Sequence, residues 1–194
     1  MPFEYYAENH DWDMTFRAAW NLLGSAQVVK NAKDFKLKNE QEFSLLTGAM
    51  LLSFCAIESY ITSIAFSMSK DEKYKGFNYL RYKKLRNFWE KVEMVCDSVG
   101  ISHDQSAQPF KTIETMRKWR NSLVHASPYS IGKAVIVETK DASELHAQLR
   151  DQEYTRTVTI EEANSFYNAT FQLINLVEKA SGLNPRAMCS YKIL

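Results

Sequence analysis

The sequence predicts an all-α fold, a bundle of about five helices with a small β-hairpin or arm inserted before the last helix. Three observations carry this expectation. Apolar residues recur at three- and four-residue steps through most of the chain. One such run, from about Asn39 to Ser69, is long enough to be the central helix of a bundle. Before the final periodic segment stands Thr159-Ile160-Glu161-Glu162, the pattern of a capping box, in which a Thr side chain and a Glu three residues on satisfy each other's free backbone donors.

The elements follow in order. Asp11 or Asp13 can cap a first helix whose stripe is Trp12, Phe16, Ala19, Trp20 and Leu23, ending near Asn31. The second helix presents Phe43, Leu46, Met50, Phe54, Ile57, Ile61, Ile64 and Met68. The charged segment from Lys70 to Gly76 reads as an exposed turn. Behind it, the basic and aromatic stretch Tyr79 to Arg86 leads into a third helix through Phe88, Trp89, Val92, Val95 and Cys96, closed near Gly100. Phe110, Ile113, Met116, Trp119, Leu123 and Val124 mark a fourth helix that must finish before Pro128, because the residue preceding proline avoids the helical region. His125 is therefore expected in its last turn. The β-branched run Val135-Ile136-Val137 and the alternating Tyr154 to Val158 suggest a two-stranded arm over residues 133–158. A fifth helix carries Ala163, Phe166, Thr170, Leu173, Ile174 and Val177 and ends at Gly182.

Composition bounds the function. A chain of 194 residues suits one domain spanning residues 1–194. Lys and Arg number 24 against 23 Asp and Glu, so no global field draws the protein to nucleic acid or to an anionic membrane, and any RNA contact must come from a local patch. Three cysteines with no C-x-x-C pair argue against a disulfide framework or a zinc site and favour a reducing, cytoplasmic setting. The N-terminus lacks a secretory pattern, and the longest apolar run, Ala49 to Ile57, falls short of the roughly 20 residues that span a bilayer, so no membrane helix is expected.

One segment is chemically loaded: Arg120-Asn121-Ser122-Leu123-Val124-His125. Arg120 lies on the same helical face as Met116 and Val124, where an aliphatic residue would be ordinary. A guanidinium cannot escape burial by losing its proton, so it must meet a carboxylate, an interface or an anion. Glu58 interrupts the stripe of the second helix in the same way and is the natural partner. Asn121 and His125 are four apart on an adjacent face. A histidine in the last turn feels the negative end of the helix dipole, which favours its protonated form and keeps its titration near neutrality. To cleave RNA without a metal, one group takes the 2′-OH proton, another protonates the 5′-oxygen, and a fixed cation stabilises the phosphorane. His125 suits either proton transfer, Arg120 suits the last role, and Asn121 and Glu58 would orient them.

This arrangement resembles the HEPN (higher eukaryotes and prokaryotes nucleotide-binding) superfamily, whose signature is an Arg, a polar residue, a short spacer and a His on a late helix of a small bundle. The segment Ala56-Ile57-Glu58-Ser59-Tyr60 is similar to the acid-bearing helix of some members. The resemblance implies a metal-independent ribonuclease, a toxin or anti-phage effector, without metal or other cofactor. It also implies a homodimer whose two Arg/His pairs share one composite site, leaving 2′,3′-cyclic phosphate. The implied partners are RNA, tRNA included, and an antitoxin or other regulatory protein. Toxins of the family controlled by a nucleotidyltransferase carry Tyr two residues after the His, whereas Ser127 stands there in this chain. Other members are inactive, so the alternative is a non-catalytic module that binds RNA, a nucleotide or a protein.

Further RNA contacts are expected from Tyr82, Lys83 and Lys84, which interleave rings and cations, and from Arg117 and Lys118 beside the motif. His10, His103 and His146 have no partners at metal-ligand spacing and read as surface residues. No serine-hydrolase elbow and no glycine-rich phosphate loop occurs.

Overall fold

The computed structural model describes residues 3–8, 10–31, 35–124, 157–186 and 188–193. Among them are six α-helices: α1 (Trp12–Lys30), α2 (Phe35–Met68), α3 (Tyr79–Lys84), α4 (Phe88–Val99), α5 (Phe110–Val124) and α6 (Ile160–Ser181). The expected arm falls almost wholly outside the described residues; only Thr157 and Val158 are placed, just before α6. His125, Ser127 and His146 are outside them as well.

The centre of the bundle is α2, 34 residues and about 51 Å long at 1.5 Å per residue. Its buried positions, among them Met50, Phe54, Ile57, Tyr60, Ile61, Ile64 and Met68, spread over more than one stripe because α1, α4, α5 and α6 all pack on it. By length and composition the stretch Gln41–Met68 is apolar enough to cross a bilayer, a property the short run Ala49 to Ile57 did not reveal. In this fold 61% of its most apolar window is buried by protein.

In α1 the residues at the core are Trp12, Phe16, Ala19, Leu23 and Ala26, a strict alternation of four- and three-residue steps. Trp20, expected on that stripe, is instead 57% exposed, since it lies one position past Ala19, about 100° around the helix. Its ring rests on Tyr167 of α6. Asp11 occupies the N-cap of α1, but its side chain accepts no capping bond. Where α1 runs back along α2, a Cβ on Gly48 would stand 2.9 Å from Leu22 Cδ1, so glycine permits the close approach. The edge-on contact of Trp12 with Tyr60 closes the other end of this pair.

The stretch Tyr79 to Arg86 does not flow into the third expected helix. Asn78 caps α3 by accepting a hydrogen bond from Arg81 N, Leu85 is extended, and Asn87 starts α4 anew by accepting from Trp89 N. Gly100, at φ +73°, closes α4 in the left-handed conformation, and Gly182 does the same for α6. At the start of α6, Glu162 N donates to Thr159 Oγ1 at 3.1 Å. The reciprocal half of the capping box is absent, because Thr159 N donates to the Thr157 carbonyl instead. Lys73 Nζ and the Tyr74 hydroxyl both donate to the Ser181 carbonyl and anchor the end of α6.

Among the described residues one strand pair brings the first and last described segments together. β1 (Phe3–Glu8) lies antiparallel to β2 (Met188–Ile193), with Phe3 opposite Ile193 and Glu8 opposite Met188. Nearby, Trp12 Nε1 donates to the Pro185 carbonyl, and Arg186 pairs with Asp13 at 3.0 Å, fastening the start of α1 to the segment after α6.

Candidate functional site

Where α2, the start of α4 and the C-terminal half of α5 meet, an open cleft of about 580 Å³ is formed. From α2 it takes Phe54, Glu58, Ile61 and Thr62. The α4 side contributes Arg86, Asn87, Phe88 and Lys91, and α5 contributes Arg117, Arg120 and Asn121. Four cations thus face one carboxylate.

The helical period puts Arg120 at the edge of the buried stripe Ile113, Met116, Trp119, so it leaves the core and enters the cleft. Its Nη2 lies 3.7 Å from Glu58 Oε2, its Nη1 donates to Asn121 Oδ1 at 3.1 Å, and its Cζ stands 5.8 Å from the Phe54 ring centroid. Side-chain exposure is 32% for Arg120 and 39% for Glu58. The pair is therefore loose and wet. An arginine has five N–H donors, and this one retains donors for an anion in the cleft. Val124, expected on the apolar stripe, is 56% exposed.

Arg117 is held differently. Its Nε and Nη2 donate to the two oxygens of Glu114 at 2.8 and 2.9 Å, and Trp89 Nε1 donates to the same carboxylate at 2.7 Å. These donors, Arg117 foremost, lower the Glu114 carboxyl from an ordinary 4.5 to about 2. Lys118 Nζ is 3.5 Å from Glu114, and Lys118 does not line the cleft.

Tyr82 cannot offer a base-stacking face. It is 2% exposed, lies against Tyr79 and Phe77, and shares a hydrogen bond with Thr62 Oγ1 at 3.2 Å. Burial pushes its hydroxyl up to about 12. Lys83 and Lys84 are exposed but do not line the cleft, and Lys83 sits over the Tyr79 ring. Cys55, next to the pair on α2, is no ready nucleophile: burial, and then the Glu58 carboxylate, raise its thiol, with Arg120 opposing.

The structure thus brings together Glu58, Arg120, Asn121 and Arg117, leaves Lys118, Lys83 and Lys84 outside the cleft, and buries Tyr82. Among the lining groups missed from sequence are the two cations Arg86 and Lys91 and the ring of Phe88. Their signal was present in the spacing, since Lys91 lies one helical turn beyond the capping Asn87. Of the remaining histidines, His10 is buried rather than superficial, and His103 lies 3.5 Å from Asp97 and 3.8 Å from Glu93, outside the cleft. Among the described residues no group of three or more His, Cys, Asp or Glu is placed to hold a metal ion.

Comparison of the chain with models of known families, with curated proteins and with solved structures finds no match.

Proposed function

We propose that this chain is a metal-independent endoribonuclease built on a HEPN-like helical bundle and acting as a cytoplasmic homodimer. The observation that carries the reading is the position of Arg120: in an open basic cleft, a third exposed, flanked by Glu58 and Asn121, and five residues before His125. An arginine placed in this way matches the need of a phosphoryl transfer, a fixed cation aimed where charge develops. His125 of one copy removes the 2′-OH proton as that oxygen attacks phosphorus; His125 of the second copy protonates the departing 5′-oxygen. The pentacovalent phosphorane rests on Arg120, and the products are a 2′,3′-cyclic phosphate and a 5′-hydroxyl. Asn121 accepts from the guanidinium and Glu58 stands beside it, so the cation is oriented in the cleft while donors remain for the phosphate. A role as a toxin or anti-phage effector, restrained by an antitoxin, belongs to the same reading.

The test is cleavage of total tRNA and of a labelled single-stranded RNA in EDTA by wild type and His125→Ala, with the 3′ ends identified. Removal of a general acid–base is expected to slow cutting by about 10²–10⁴-fold while leaving a folded dimer. Undiminished cutting by His125→Ala refutes the assignment. A second reading, a non-catalytic binding module, draws on the way Arg120 and Glu58 join α5 to α2. Under it wild type cuts nothing, and Arg120→Ala loses helix content or dimerisation.

A further inference from the structure

Charge in the cleft is not evenly compensated. Arg117 is clamped by Glu114 and Arg120 stands beside Glu58. Arg86 and Lys91 line the same cleft from the segment before α4 and from its first turn. Among the described residues neither forms an ion pair, and the one recorded contact of the Lys91 ammonium is the Tyr82 ring, 5.6 Å away. Two cations without a carboxylate partner lining one cleft leave a positive potential there, which an anion bound in the cleft neutralises.

We propose that Arg86 and Lys91 form a second phosphate subsite, which takes a backbone phosphate of the same single-stranded RNA whose scissile phosphate lies at Arg120. This rests on the ribonuclease reading and adds the substrate class: a strand with several phosphates, not a mononucleotide. Three features support it. The cleft volume, about 580 Å³, is in the range that holds a ligand larger than one phosphate. The Trp89–Glu114 hydrogen bond, 2.7 Å, ties the start of α4 to α5, so the two sets of cations keep a fixed spacing. Phe88, half-buried against Phe54 and Trp89 in the cleft lining, gives the wall an aromatic surface of the kind on which bases of a single strand rest.

The test separates binding from cutting. A short fluorescein-labelled 2′-O-methyl oligouridine cannot be cleaved, because the attacking hydroxyl is blocked, and its affinity is read by anisotropy over a range of salt. The double variant Arg86→Gln/Lys91→Gln is expected to bind about tenfold more weakly, with the slope of log K against log salt shallower by about 0.7, the loss of one single-strand phosphate contact. Arg86→Gln alone, at an exposed position that leaves the Lys91–Tyr82 contact in place, should lose part of both. Lys75→Gln/Lys179→Gln removes the same charge from exposed sites away from the cleft and should change affinity less than about twofold. The subsite is overturned if the cleft double variant, folded by circular dichroism, binds with wild-type affinity and slope. It is equally overturned if the control weakens binding as much, or if wild type does not bind the strand. Weakened binding by a protein that never cuts RNA sinks the nuclease and leaves the subsite standing.

Discussion

Glu114→Gln tests how firmly α5 is set against α4, and with it which arginine of α5 is available to a ligand. The wild-type carboxylate accepts two hydrogen bonds from Arg117 and one from Trp89, at 2.7 to 2.9 Å. Glutamine keeps one acceptor oxygen and turns an NH2 toward donors, so at least one of these bonds is lost and the rest lose their charge assistance. Hydrogen bonds to charged groups contribute roughly 1.5–3 kcal/mol. Arg117 is a third exposed, so solvent screens the pair and the expected cost is about 1–2 kcal/mol. For a chain of this size that lowers Tm by about 2–8 °C at neutral pH. The carboxyl is depressed from 4.5 to about 2 on folding, so the unfolded chain binds the proton more readily between those values. The contribution of the carboxylate is thus complete above about pH 4.5 and is lost as pH falls towards about 2. Thermal melts of both proteins should differ at pH 7, with more than half of the gap closed by about pH 3. A gap that is absent, or that persists unchanged in acid, would refute the idea that an ionised Glu114 holds the two helices together.

Tyr82→Phe removes a hydroxyl that Thr62 shares, but Thr62 retains its bond to the Glu58 carbonyl, so the variant should lose only about 1 kcal/mol in a urea melt and bind RNA as wild type does. Weaker RNA binding at unchanged stability would return Tyr82 to the interface. Arg120→Lys keeps a cation beside Glu58 but loses the planar fork, and cutting should fall about 10²–10³-fold with helix content retained; wild-type turnover in single-turnover assays would exclude Arg120 from the transition state.

Helices were legible in the sequence where burial follows a regular period. The stripes of α4, α5 and α6, the Gly100 and Gly182 stops, and the coupling of Glu58 to Arg120 could all be read from local spacing. The last of these was legible because a charge that interrupts an apolar stripe needs a partner. What was not legible depends on contacts far apart in the chain. The pairing of Phe3–Glu8 with Met188–Ile193 brings together segments at opposite ends of the sequence, and six residues carry too little periodic signal to announce such a strand. Trp20 shows the limit of a stripe read by eye, since α1 buries a single stripe through Ala19 and position 20 lies about 100° around the helix from it. Tyr82 shows the limit of composition: tyrosines among lysines and arginines suggest an RNA surface, but in the six-residue α3 this ring is turned into the core.

The carboxylates decide which cations have a function to perform. Four basic residues lie on α5, Lys111, Arg117, Lys118 and Arg120, and Lys91 faces the cleft from α4; sequence spacing singles out Arg120 but does not rank the others. Glu114 takes Arg117 out of contention by binding both arms of its fork, and it also holds Lys118. Lys111 is exposed outside the cleft. Arg120 meets its carboxylate at 3.7 Å, beyond a good hydrogen bond, and Lys91 meets none among the described residues. A cation already saturated by a carboxylate must break that bond to accept phosphate, whereas a loosely paired one gains the interaction at little cost. Under the proposed function, this ground assigns the phosphate contacts of the cleft to Arg120, Arg86 and Lys91, with Arg117 acting through the position of α5.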